Sequence, residues 1–235
     1  MKKDTMNDGL QKALAGIAAG VMVAASIWSL IIPAINMSSN MGKLAFLPAA
    51  VGFFIGIVFL LVLDIIIPHM HVDGECEGPP GMSHRCTMLL LAVAIHNLPE
   101  GMAVGVIFAG WMAGNEAVSL MGAIVLAIGI ALQNFPEGAI VSMPLRAEGM
   151  GRAKAFFYGA ASGIVEPIGA IIMILAAHYI AAILPYMLGF AAGAMMYVVV
   201  EELIPQTATG EHSNLGALFF AAGFLIMMIL DVALA

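Results

Sequence analysis

Charged residues are scarce in this chain. Asp, Glu, Lys and Arg make up 10% of its 235 residues, against about 25% in a soluble domain. A water-facing surface is hard to build at that level. Cysteine is nearly absent: Cys76 and Cys86 are the only two, both around one polar insert. That excludes a disulfide framework. Long polar stretches are also missing, so no separate soluble domain is expected. Only eight residues are basic, and they flank apolar runs, so no nucleic-acid partner is expected. What remains is apolar: 62% hydrophobic residues and a mean hydropathy of +1.04. The lipid bilayer is the expected solvent.

Crossing a bilayer takes about 20 apolar residues. Seven stretches meet this, roughly 13–34, 45–68, 87–110, 119–144, 155–179, 186–204 and 215–234. They predict an all-α, polytopic transmembrane helical bundle, one transmembrane domain over 1–235 with a polar insert at 69–86. A cleaved signal peptide is not expected, because the first apolar run is too long and leads straight into more membrane. Lys2, Lys3, Lys12, Arg85, Arg146, Arg152 and Lys154 all fall on one side if the spans alternate, and Lys43 alone on the other. Basic loops stay in the cytoplasm. The N-terminus and the 69–86 insert are therefore expected there, and the C-terminus outside, in a plasma (inner) membrane.

An internal repeat is visible. Gly16-Ile-Ala-Ala-Gly20-Val-Met22, ending in Ile32-Pro33, resembles Gly189-Phe-Ala-Ala-Gly193-Ala-Met195, ending in Ile204-Pro205. The following spans match too, Ser39-Asn40-Met-Gly42 to Asp64 against Ser213-Asn214-Leu-Gly216 to Asp231. The first and sixth spans cross in opposite senses, so this is an inverted repeat, a plan common in secondary transporters. The later unit has a span before its matching pair and the earlier one has only a short arm. A further helix is expected to be missing at the N-terminal end.

The third and fourth spans each carry a polar motif near their centre: His96-Asn97-Leu98-Pro99-Glu100-Gly101 and Gln133-Asn134-Phe135-Pro136-Glu137-Gly138. Residues four apart share a helix face, so His96 lies over Glu100 and Gln133 over Glu137. Pro99 and Pro136 lack the N–H that would bond the carbonyls of Ile95 and Leu132. The fifth span adds Glu166, beside Pro167. A buried charge in a membrane costs about 2.5–3.5 kcal/mol, so three carboxylates cost about 8–10 kcal/mol uncompensated. No Lys or Arg lies in 87–110, 119–144 or 155–179 to compensate them. Protonation is one escape. A bound divalent cation is the other, and the adjacent imidazole and amides favour it. Imidazole suits zinc or iron(II), whereas an all-oxygen set would suit magnesium or calcium. A hydrogen-bonded network that merely joins helices is the rival reading.

With these motifs the chain resembles the ZIP (Zrt- and Irt-like) family of divalent-metal transporters, in its bacterial GufA-like branch, over nearly its whole length. The resemblance implies an eight-helix fold of which the spans here are helices two to eight. It implies that His96, Glu100, Gln133 and Glu137 hold one ion, and that Asn97, Asn134 and Glu166 hold a second, sharing Glu100 and Glu137. Some relatives have Asp where this chain has Asn134, which removes one negative charge here. The expected activity is import of zinc into the cytoplasm, with iron(II), manganese and cadmium as candidate further cargoes. No cofactor is expected beyond the metal ion itself. A second copy of the chain is a candidate partner, alongside the metal and the lipid.

Other potential ligands lie outside the motifs. The insert carries His69, His71, Asp73, Glu75, Cys76, Glu77, His84 and Cys86, without the spacing of a zinc finger. Glu201 and Glu202, followed by Glu211 and His212, are candidates for an exit-side site. His178 reads as interfacial, and the 19 Met residues as membrane filler. The alternative function is a membrane-embedded metalloenzyme using metal-bound water. The chain lacks His-Glu-x-x-His, and no nucleophile–base pair is evident beside the cluster.

Overall fold

In hydrocarbon, backbone N–H and C=O groups must pair within the segment that carries them, so apolar runs of this length become helices. A computed structural model describes residues 7–66, 69–70, 76–77, 85–147, 149–176, 183–208 and 213–234. Among the described residues, seven helical segments are long and apolar enough to cross a membrane. The chain is an all-α polytopic bundle.

The first span begins at α1 (Asp8–Ala25), capped by the Asn7 side chain on the Gly9 N–H at 2.8 Å. It passes through a π-helical turn (Ser26–Ile31) into α2 (Ile32–Met37). The second span is α3 (Leu47–Ile66). Two residue pairs, β1 (His69–Met70) and β2 (Cys76–Glu77), then pair antiparallel, with His69 opposite Glu77. The third span is α4 (Arg85–Met112) and the fourth α5 (Leu120–Ala147). The fifth is broken into α6 (Arg152–Ser162) and α7 (Val165–Leu175). The sixth runs from α8 (Leu184–Val198) through a second π turn (Val199–Leu203) into α9 (Ile204–Ala208). The seventh is α10 (Leu215–Leu234).

The inverted repeat holds at the level of individual contacts. α1 packs on α10, and its counterpart α8 packs on α3. A Cβ built at Gly20 would overlap the carbonyl of Phe220, and one at Gly193 that of Phe53. In return, a Cβ at Gly223 would overlap the Ile17 carbonyl, and one at Gly56 that of Phe190. These four contacts therefore form two equivalent sets. The Asp64–Asp231 match sets this register. The Ser-Asn-x-Gly match does not share it: Ser39–Leu44 form a 3-10 turn well before α3, whereas Asn214 stands directly before α10. Both π turns precede an Ile-Pro step, and each closes with an N–H reaching five residues back, Ile32 to Ile27 and Ile204 to Val199.

Small residues allow this approach because lipid offers no hydrophobic drive between helices; association comes from close packing. The outward faces are correspondingly apolar, with Phe54, Ile65 and Leu175 exposed and Met22, Leu60, Leu126 and Met195 buried.

The fifth span departs from the single helix expected over 155–179. Hydropathy is blind to the break, since Ser162-Gly163-Ile164 is no more polar than its surroundings. The break falls at Gly163, a poor helix former, whose carbonyl finds no N–H on Pro167. That carbonyl is taken instead by the Glu166 N–H, three residues on, at 3.2 Å. Glu166 is thereby set in the first turn of a new helix. His178 lies outside the described residues. So do the side chains of the insert 69–86, and Glu211 and His212.

Candidate metal centre

Both motifs sit midway along their helices, which run unbroken through Pro99 and Pro136. α4 packs against α5, α7 and α8, and α5 packs against α6. Asn97, Glu100, Gln133 and Glu166 are buried, Glu100 and Gln133 completely. Asn134 and Glu137 are half-buried. His96 stands one turn before Glu100 in α4; its side chain lies outside the described residues.

The three carboxylates are mutual neighbours. Glu100 lies within electrostatic range of Glu137 and Glu166, and Glu137 within range of Glu166. Gln133 lies close enough to Glu100 for its amide to act on the carboxylate, though without the geometry of a well-formed hydrogen bond. Two amide groups orient the rest. The Asn97 Nδ2 donates to the Ser162 carbonyl at 3.2 Å, using an acceptor at the end of α6. The Asn134 Nδ2 donates to the Glu166 Oε2 at 2.5 Å. Each amide is thus fixed by its nitrogen, and its oxygen is left over.

The leftover atoms define the chemistry. Both oxygens of Glu100, Oε1 of Gln133, Glu137 and Glu166, and Oδ1 of Asn97 and Asn134 are buried without a hydrogen-bond partner. An unsatisfied buried polar atom costs about 1–3 kcal/mol, and more when charged. A surplus of acceptors in one neighbourhood suits a cation rather than a further donor. Among the described residues no three His, Cys, Asp or Glu side chains stand together so as to hold a metal ion by themselves. The donors that converge are carboxylates mixed with amides.

Glu202, expected at a separate exit-side site, lies close enough to act electrostatically on Glu137. Its Oε1 accepts from the Gln206 Nε2 at 2.7 Å. Glu201 is exposed. Two further acids, Asp64 and Asp231, are buried. They entered the sequence reading only as repeat markers; an acid kept at the same place in both units was the signal that they matter. The Ser29 Oγ donates to the Asp231 Oδ1 at 2.6 Å from within the first π turn. Ser29→Ala leaves that carboxylate with one donor fewer. A loss of about 1–3 kcal/mol is expected, read as a lower unfolding midpoint in detergent. An unchanged midpoint would show that the bond carries no weight.

The fold is that of a polytopic membrane protein whose central helices bury acids and amides from three spans. The ZIP zinc transporter profile matches residues 72–231 of this chain. The chain is 36% identical to the zinc transporter ZIP11 of Homo sapiens, over 93% of its own length and 87% of that protein. It is 36% identical to the zinc transporter GufA of Myxococcus xanthus, with 93% and 85% covered. With the zinc transporter ZIPB of Bordetella bronchiseptica the identity is 38%, over 95% and 72%. The chain belongs to the ZIP family, a family of transporters and not of enzymes.

Proposed function

We propose that this chain carries zinc across a plasma membrane into the cytoplasm through the cluster at the centre of α4, α5 and α7. The observation that carries this reading is the set of buried, unpartnered oxygens contributed by three spans that contain no Lys or Arg at that depth. His96, Glu100, Gln133 and Glu137 hold one ion. Asn97, Asn134 and Glu166 hold a second, with Glu100 and Glu137 shared. Asn134 and Asn97 each serve with their oxygen, because their nitrogens are engaged. Carboxylates and amides bind zinc less tightly than a closed Cys/His set, as release into the cytoplasm requires. Iron(II), manganese and cadmium fit the same donors. The basic loops support a cytoplasmic N-terminus and insert.

The test is zinc uptake into proteoliposomes, followed with a fluorescent indicator trapped inside. Uptake well above protein-free vesicles is expected, with two zinc ions located by anomalous scattering at the zinc edge. Zinc binding with no flux would refute transport, and metal-dependent hydrolysis in its place would favour an enzyme.

A further inference from the structure

Glu100 and Glu137 are each followed by glycine, and the two glycines have different surroundings. A Cβ built at Gly138 would meet nothing closer than the Gly159 carbonyl oxygen at 3.7 Å, an ordinary contact. A Cβ at Gly101 would fall on the backbone of Glu166: it would overlap the carbonyl oxygen, with Cα at 2.5 Å and the carbonyl carbon at 2.6 Å. The main chain of α4 therefore touches α7 at the residue bearing the third carboxylate. The contact is reciprocal. A Cβ at Gly169 would stand 3.2 Å from the Leu98 carbonyl oxygen and 3.3 Å from the Met102 nitrogen.

Glycine inside a helix is unfavourable relative to alanine, so a glycine following Glu100 needs a reason. Close backbone approach is one. Glu166 is held on its other side by the Asn134 amide from α5. Its depth is thus set by a main-chain contact with α4 and its direction by a hydrogen bond from α5. Because α7 begins at Val165, after the break, α6 does not fix Glu166 through a continuous helix.

We infer that Gly101 is a positioning residue for the second ion: its missing side chain lets Glu166 come close enough to Glu100 for the two to share a metal. The inference rests on the two-ion reading above. It assigns different roles to two glycines that occupy the same place in matching motifs.

Zinc bound per purified protein in detergent, with unfolding midpoints, tests it across Gly101→Ala, Gly138→Ala and Gly223→Ala. The last places a Cβ on the Ile17 carbonyl in the α1–α10 pair, a packing insult of the same kind between helices that supply none of the proposed ligands. Wild type and Gly138→Ala are expected to bind two ions. Gly101→Ala is expected to keep the first ion within about threefold in affinity and to lose the second, a change of at least tenfold. Gly223→Ala is expected to unfold earlier yet bind two. Should Gly101→Ala not fold, Gly169→Ala pushes the same helix by a few tenths of an ångström and is expected to weaken the second ion alone. Two ions of wild-type affinity in the folded Gly101→Ala protein, or in Gly169→Ala where that variant replaces it, would overturn the inference. So would loss of the second ion in Gly223→Ala. One ion in wild type would overturn the two-ion reading itself, and the inference with it.

Discussion

Glu100→Ala and Glu137→Ala proteins are expected to fold and to transport less than about a tenth as much zinc as wild type. Both carboxylates would be shared between ions, so each removal weakens both positions. The stability change should run in the opposite direction to the activity change. Glu100 is completely buried and neither oxygen has a hydrogen-bond partner. Without metal, losing that group removes an unsatisfied polar burden of about 1–3 kcal/mol. The metal-free variant should therefore unfold no earlier than metal-free wild type. Zinc at 100 times its dissociation constant should stabilise wild type by about 2.7 kcal/mol and the variant by much less. Glu201→Ala, at an exposed position, should keep most of the flux. Wild-type uptake by both Glu100→Ala and Glu137→Ala would dismiss the site assignment.

The second large effect concerns the α1–α10 and α3–α8 helix pairs. Gly20→Val and Gly193→Val put side chains onto the carbonyls of Phe220 and Phe53, which are equivalent positions of the two repeat units. Backbone cannot move aside as a flexible side chain can. Overpacking of this kind costs about 1–3 kcal/mol or more, which is a fall of about 2–12 °C in the unfolding midpoint for a chain of this size. The two variants should fall by similar amounts, because the contacts are equivalent. Gly151→Ala, with no heavy atom within 4 Å of the added carbon, should shift by less than about 2 °C. Thermal scans of the detergent-solubilised proteins would decide this. Midpoints for both valine variants within about 2 °C of wild type would refute the close-packed description.

Most of this architecture was legible in the sequence because it follows from composition. Seven apolar runs require seven helices in lipid, and acids at mid-span without basic partners mark a place where a cation is wanted. The repeat was legible through Gly16, Gly20, Gly189 and Gly193, whose small size is itself the contact. Other features depend on backbone detail that hydropathy does not encode. The break at Gly163 lay within an unbroken apolar run, and the spacing of Gly163 from Pro167 was its local sign. The π turns, each just ahead of an Ile-Pro step, change hydrogen-bond register without changing composition. Nor could the sequence orient the amides. Asn97 and Asn134 occupy equivalent motif positions, yet one bonds a carbonyl and the other a carboxylate. That difference arises because the broken fifth span meets the two motifs with different groups.

The glycine seams between α1 and α10, and between α3 and α8, have a consequence for how such a chain can diverge. Their closest contacts are main chain against main chain, and they persist for as long as Gly20, Gly56, Gly193 and Gly223 are kept. Mutation can then rewrite the outward surface, where Phe54 and Ile65 meet lipid, without disturbing the joints. The perimeter of the bundle is thus free to change with the lipid around it, while the joints hold their geometry through the glycines.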